Sequence, residues 1–329
     1  MSHGARSTVP DAVAKLAAQV IEAADRIRPV VVETPVEQIE GLAPDIGAEV
    51  FFKLENLQST GSFKLRGASN KILSLSPAEA AQGVIAASNG NHGLGVAAAA
   101  KAAGIAAEVY VSNHVSPSKV RRIQEYGAHI KLIGNDPLEA ELAARAAASQ
   151  QGKVFISPYN DAQVMAGQGT IAVELLRQCP PFDAAFVAVG GGGLIGGIGA
   201  YLKHASPHTE VVGCWPDNSP VLYESIKAGR ILDVAEQPTL SESTAGGLEP
   251  GSVTLEICSR VIDSSILVTE AEILNAMRAV RALRGWIIEG AAAVAMAAFL
   301  KNAGRYKGKR VAVIICGANV SEKVLSALG

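Results

Sequence analysis

Cysteine is scarce in this sequence. The four residues, Cys179, Cys214, Cys258 and Cys316, stand far apart, with no CxxC pair and no histidines at a metal-ligand spacing. That distribution argues against a disulfide framework and a zinc site, and it predicts reduced thiols in a cytoplasmic protein. Aromatic residues are few, at 5%. An excess of one charge is missing too: 29 Lys plus Arg against 31 Asp plus Glu leave a net −2, with no long run of either sign. Neither a nucleic-acid surface nor a polybasic membrane patch fits that balance, so an anionic ligand must be gripped by local geometry. No apolar stretch is long enough to span a bilayer, and the most apolar late segment, AAAVAMAAFL (291–300), reads as a buried helix. The N-terminal MSHGARSTVPDAVAKLAAQ has no apolar signal core.

What is present is apolar and small. Hydrophobic residues make up 49% of 329, with Ala and Gly abundant, which suits helices packed tightly on a parallel sheet. The length suits two domains, or one large α/β unit with an insertion. A first helix follows Pro10, and 49–55 is a strand candidate. From Gly83 onward strands at 84–88, 107–112, 129–134 and 154–158 alternate with helices at 92–104, 116–127 and 137–151. A second series runs through a helix at 167–178 and a strand at 184–190. Strands at 210–215, 265–269 and 310–317 and helices around 270–284 and 290–303 complete it. Such alternation implies βαβ units and parallel sheets, here two interleaved units with no tether between them.

Three segments carry chemistry. The first is Ser59-Thr60-Gly61-Ser62-Phe63-Lys64-Leu65-Arg66-Gly67. Alone, Lys64 reads first as an ordinary surface lysine; a catalytic lysine needs a dry site that lowers its pKa. The second is Gly190-Gly191-Gly192-Gly193-Leu194-Ile195-Gly196-Gly197, after an apolar strand and opening a helix. Glycines there let the backbone approach a phosphate, and free N–H groups bind it. A dinucleotide site or a Gly-rich turn without a ligand are the alternatives, and a Walker loop is excluded because no Gly-Lys-Ser/Thr follows. The third is Ser88-Asn89-Gly90-Asn91-His92-Gly93, also at a strand end leading into a helix. Its N–H groups and side chains suit a carboxylate or phenolic oxygen; the plain alternative is a helix cap on Asn89 or Asn91.

Taken together, KLENLQSTGSFKLRGASN (53–70), ASNGNHG (87–93), AGQGTIAVEL (166–175), GGGGLIGG (190–197) and CGANVS (316–321) resemble one family over nearly the whole chain. It is the fold type II (tryptophan synthase β-like) pyridoxal 5′-phosphate enzymes, within them the serine/threonine dehydratase and serine racemase group. The resemblance implies a large cofactor-binding domain of 1–82 and 161–329 and a small domain of 83–160. It implies that Lys64 carries the cofactor as a Schiff base and later acts as base at Cα, that Phe63 packs on the ring, and that Asn91 bonds its phenolic oxygen. Gly190, Gly191, Gly192, Gly193 and Leu194 would hold the phosphate, the family's usual proton donor to the leaving hydroxyl. Gly247 would flank the other ring face, and Glu289 would lie near the ring, unless it is a capping or salt-bridged carboxylate before Gly290. Cys316 stands where the group usually has Ser or Thr facing the pyridine nitrogen. A weak neutral thiol there leaves the nitrogen largely unprotonated, which favours elimination over a long-lived carbanion. Ser88, Asn89, Asn91 and His92 would bind the amino-acid substrate.

The implied activity is removal of water, then ammonia, from L-threonine, L-serine or a related hydroxy amino acid, by a homodimer. Racemases of the group carry a serine where this chain has Asn89, which cannot exchange a proton at a useful pKa, so racemisation is disfavoured. Relatives that bind magnesium or calcium do so through carboxylates after the strand at 210–215. Trp215 and Val221 stand there instead, with only Asp217 between them, so no metal site is expected. The chain stops soon after CGANVSEKVLSALG, without the regulatory domain of biosynthetic threonine dehydratases, which implies a catabolic enzyme. A looser similarity, through GCWPDNSP and ASNGNHG, is to the dehydratase of hydroxyectoine breakdown.

Overall fold

The computed structural model describes residues 11–42, 44–179 and 181–328. The first ten residues of the segment read as lacking a signal core lie outside these. Among the described residues ten strands fall into two sheets, β1 (Val36–Gln38), β2 (Glu49–Leu54), β3 (Val84–Ala87), β4 (Ala107–Val111), β5 (His129–Leu132), β6 (Val154–Phe155), β7 (Ala184–Ala188), β8 (Glu210–Pro216), β9 (Ser264–Val268) and β10 (Arg310–Ile315). One sheet has the order β1-β2-β10-β7-β8-β9, the other β5-β4-β3-β6. All pairings are parallel except β1 on β2, an antiparallel edge that the alternation of elements did not announce. The chain is thus α/β, with two parallel-strand sheets.

Burial follows composition. Strands β7, β8 and β10 are apolar along nearly their full length because helices cover both faces. The helix Gly290–Lys301 is buried from Gly290 to Phe299, the fate its alanine run predicts. A second core gathers around the four-stranded sheet and takes Leu65, Ala68 and Ile72 from the helix Lys64–Leu73. The lysine helix therefore belongs by packing to both units.

Boundaries differ where caps were overlooked. The helix expected from 167 begins at Ala162, because the Asp161 carboxylate accepts from the N–H groups of Gln163 and Val164. The strand expected over 154–158 stops at Phe155. Beyond it the backbone turns, and the Ser157 hydroxyl accepts from Asn160 N–H at 3.0 Å. The helices Lys64–Leu73, Val221–Ala228 and Thr254–Val261 had no clear sequence signal.

In parallel sheets ligands collect beyond the carboxyl ends of the strands. Here the ends of β3, β6, β7 and β10 face one another, and the space between them is a cavity of about 1260 Å³. It lies between the two sheets.

Candidate active site

The cavity is lined by Phe63, Lys64, Ser88, Asn89, Asn91, His92, Gly190 to Leu194, Gly247, Glu289 and Cys316. Segments as far apart in sequence as Phe63 and Cys316 thus meet because each follows a strand or opens a helix at the same cleft.

Lys64 is the first residue of the helix Lys64–Leu73. The turn before it is stitched to the end of β10: Phe63 N–H donates to Cys316 O at 3.1 Å, and Ala318 N–H donates to Gly61 O at 2.9 Å. The half-buried Lys64 side chain points into the cavity, where Nζ donates to the Pro158 carbonyl at 2.9 Å and lies 5.2 Å from the Phe63 ring centroid. Burial lowers its pKa from 10.5 to about 8, against the opposing pull of Glu289. Partial neutrality near physiological pH is what an amine needs to act as nucleophile or base.

The glycine loop leads from β7 into the helix Gly193–Ala205. Gly196 N–H is bonded back to Gly192 O at 2.8 Å, so the N–H groups of Gly193, Leu194 and Ile195 precede the helical ladder, and no side chain caps them. Gly192 has φ +88°, a conformation that favours glycine. A Cβ on Gly191 would stand 2.5 Å from the Tyr159 ring. The loop is therefore a bare-backbone cradle pressed onto Tyr159, with a helix start that attracts an anion. Gly191→Val is expected to displace this loop, weaken pyridoxal-phosphate binding more than about tenfold, and cost about 1–3 kcal/mol of stability. Cofactor titration by visible absorbance, alongside urea unfolding, measures both.

The second helix start, Asn91–Ala103, has Gly90 as its N-cap and no side-chain cap. The capping alternative for Asn89 and Asn91 is thus overturned: Asn91 is already helical, and its amide does other work. Asn91 Nδ2 donates to Glu289 Oε2 at 2.8 Å, and Asn91 Oδ1 accepts from Asn319 Nδ2 at 2.7 Å. Ser88 Oγ accepts from Gly90 N–H at 3.1 Å. Asn89 is held on both amide atoms by Ser112: its Oδ1 accepts from Ser112 N–H at 2.9 Å and its Nδ2 donates to Ser112 Oγ at 2.8 Å. His92 is buried, its Nε2 lies 2.7 Å from the Ile156 carbonyl, and burial drives its pKa down to about 3. A neutral ring that donates from Nε2 has only an acceptor left at the buried Nδ1. The ring therefore has no proton for a carboxylate, and what His92 offers the cavity is its backbone N–H.

Glu289 is buried before the helix Gly290–Lys301, yet its carboxylate caps nothing. It accepts from Asn91, from Ser243 Oγ at 2.8 Å and from Cys316 Sγ at 3.7 Å. Burial raises its pKa despite these donors, and burial with Glu289 beside it pushes the Cys316 thiol well above its usual range. Cys316 is a neutral group. Gly247 lines the cavity with open space where a side chain would be. Among the described residues no three His, Cys, Asp or Glu side chains are grouped as metal ligands, and Trp215 is fully buried.

The chemistry of this donor set fits pyridoxal phosphate: an amine of lowered pKa for the aldehyde, a helix-start cradle for the phosphate, an amide for the phenolic oxygen and a neutral thiol for the ring nitrogen.

Motif reading missed a buried charge cluster beneath the site. Arg66 donates to both Glu55 oxygens, at 2.7 and 2.8 Å, and to both Glu174 oxygens, at 2.6 and 2.8 Å. Lys53 Nζ donates to Glu174 at 2.6 Å and to Thr34 O at 2.5 Å, and Thr34 Oγ1 donates to Glu55 at 2.5 Å. Burial alone would raise Glu55, but the charge and hydrogen bonds of Arg66 carry its pKa below the usual carboxylate range. The signal was Lys53 near the end of a strand that is otherwise apolar after Glu49, where a buried lone charge has no place without a partner. Tyr159 and Asn319 were missed as well: nothing in its local sequence marks Tyr159, and Asn319, although inside the CGANVS motif, was given no role of its own.

Comparison with known proteins places the chain in a family. Residues 27–317 match the family model described as pyridoxal-phosphate dependent enzyme. An L-threonine ammonia-lyase of Thermotoga maritima is 39% identical over 93% of this chain and 76% of its own length. The solved structure of the processed form of threonine deaminase isoform 2 from Solanum lycopersicum superposes with a TM-score of 0.92. It is 30% identical, over 100% of this chain and 94% of that one. A serine racemase from Dictyostelium discoideum gives a TM-score of 0.85 at 34% identity, over 93% of this chain and 98% of that one. With the lysine, the glycine cradle and the asparagine amide in one cleft and the family model spanning most of its length, the chain belongs to the pyridoxal-phosphate-dependent enzymes.

Proposed function

We propose that this enzyme is a dehydratase, or ammonia-lyase, that converts a hydroxy amino acid such as L-threonine or L-serine to a 2-oxo acid and ammonia. The observation that carries the reading is one cavity in which an amine of pKa about 8 faces two helix starts. The threonine ammonia-lyase and threonine deaminase relatives support the substrate class.

Pyridoxal phosphate, when bound, supplies an electron sink for charge left at Cα. Lys64 would hold it and, once free, move the proton at Cα. The backbone of Gly190, Gly191, Gly192, Gly193 and Leu194 would hold its phosphate, Asn91 Nδ2 its phenolic oxygen, and Phe63 and Gly247 its two faces. Cys316, neutral and turned to Glu289, would put no charge beside the ring nitrogen. Ser88 and the N–H groups of Asn91 and His92 would hold the substrate carboxylate, as a helix start does for anions. Holding the carboxylate and the phosphate at two helix ends would limit how the substrate can sit relative to Lys64, which is the alignment effect a positioned base needs.

Elimination is favoured over racemisation because Asn89, bound on both amide atoms by Ser112, has no group that gains or loses a proton at a useful pKa. We take residues 83–160 as a small domain carrying the carboxylate wall and the remainder as the large domain. The four free cysteines suit a reducing cytoplasm, and a homodimer follows from the resemblance.

The test supplies the protein with pyridoxal phosphate and a panel of L-threonine, L-serine and hydroxyectoine-derived compounds. 2-Oxo acid formation is followed together with the chirality of the remaining amino acid. Release of 2-oxo acid and ammonia in equal amounts is expected. Faster accumulation of D-serine than of pyruvate would assign an isomerase instead.

A further inference from the structure

Asn319 follows β10 and takes part in none of the contacts assigned above to cofactor or substrate, yet it lies on the cavity wall and joins three elements. Its Oδ1 accepts from Arg122 Nη1 at 2.9 Å. Its Nδ2 donates to the Thr60 carbonyl at 3.0 Å and to Asn91 Oδ1 at 2.7 Å. Arg122 lies on the helix Pro117–Gln124 of the small-sheet unit, and Thr60 lies in the turn before Lys64.

The chemistry of these partners leaves one arrangement. A guanidinium only donates and a carbonyl only accepts, so Asn319 must turn its oxygen to Arg122 and its nitrogen to Thr60. That nitrogen then requires an acceptor from Asn91, so Asn91 presents Oδ1 to it and turns Nδ2 toward Glu289 and the cavity. Remove the Asn319 donor and Asn91 is free to rotate half a turn. It would then show an oxygen, not an N–H, to whatever sits in the cleft. Glu289 does not prevent this alone, since a buried carboxyl that takes a proton can donate to the flipped amide.

We propose that Asn319 is a positioning residue that fixes the amide orientation of Asn91, and so makes the cleft selective for an anionic phenolic oxygen on the bound cofactor. The inference rests on the proposed role of Asn91. It adds that the orientation is imposed from outside the cofactor's own contacts, by a link running from Arg122 through Asn319. The position of the helix Pro117–Gln124 thereby bears on how the cofactor is held.

The test uses the full chain reconstituted with pyridoxal phosphate and reads the cofactor dissociation constant and the position of the visible band. Asn319→Asp keeps the contact to Arg122 and replaces the donor with an acceptor. It is expected to weaken the cofactor about tenfold and shift the band, as loss of one hydrogen bond to a charged oxygen does. Asn319→Ala is expected to do the same. In an Asn91→Ala background neither change should add a further loss, because the residue acts through that amide. Should Asn319→Ala fail to fold, Asn319→Asp carries both readouts. If the parent protein binds the cofactor and Asn319→Asp matches it in affinity and band position, the inference is overturned alone. It is also overturned if the losses persist undiminished in the Asn91→Ala background. A parent that takes up no cofactor overturns the functional reading and this inference with it.

Discussion

Lys64→Ala is expected to reduce 2-oxo acid formation by more than about a thousandfold. That loss compounds the missing attachment point with a proton-transfer group worth about a hundred- to ten-thousandfold. The effect should fall on turnover and not on folding. Lys64 makes one hydrogen bond, to Pro158 O, and its charged form is disfavoured by burial. The folded pKa of about 8 lies below the ordinary 10.5, so between these values the native state binds fewer protons than the unfolded state. Stability of the cofactor-free protein should therefore rise with pH across that window, while below about pH 8 the burial penalty is present in full. Lys64→Ala lacks the penalty at every pH. At pH 7 it should unfold no earlier than the parent, and the difference should shrink as the pH climbs toward 10.5. Thermal unfolding of both proteins over pH 7–10.5 checks the sign, and mass spectrometry after borohydride reduction checks the site of attachment. A reduced adduct on any other lysine would sink the assignment.

Arg66→Met should be the most destabilising single change near the site. The guanidinium is fully buried between two carboxylates and touches all four of their oxygens. Removing it leaves Glu55 and Glu174 with Lys53 as the one cation of the cluster. Breaking a buried pair in this way costs about 3–5 kcal/mol, because the abandoned charge has no water to turn to. Arg66→Lys keeps a charge but not the fork that reaches both carboxylates, and it should recover only part of the loss. Equilibrium urea unfolding, with the midpoint lowered and the slope unchanged, is the expected signature. Arg66 lies two residues beyond Lys64 on the same helix, so the variant should also loosen cofactor binding. An unfolding midpoint equal to the parent's would show that the cluster contributes nothing.

Much of the site was legible because its parts are local. A Gly-rich turn after an apolar strand, a Ser-Asn-Gly-Asn-His turn after another, and a lysine behind a Gly/Ser turn are each ambiguous singly, and together they match one family's order of motifs. Burial of 291–299 was legible from its unbroken apolar composition. His92 was not, because the tautomer of a buried imidazole depends on which carbonyl it meets, here Ile156, 64 residues away. Asn89 and Glu289 were ambiguous for the same reason: capping, substrate contact and core bonding use identical atoms, and only the partner decides.

Sequence alone determined the class of chemistry through the joint resemblance of its motifs, in order along nearly the whole chain, to one family, since each motif taken singly admits a plain structural reading. Tertiary structure decided everything that requires two distant groups at one distance. It lowered the Lys64 pKa by burial, paired Arg66 with two carboxylates, pressed the glycine loop against Tyr159, and set the Asn91 amide through Asn319. The physical reason is that desolvation and hydrogen-bond direction are properties of a place in the fold, and a chain position acquires them only after the two sheets have closed on one cleft.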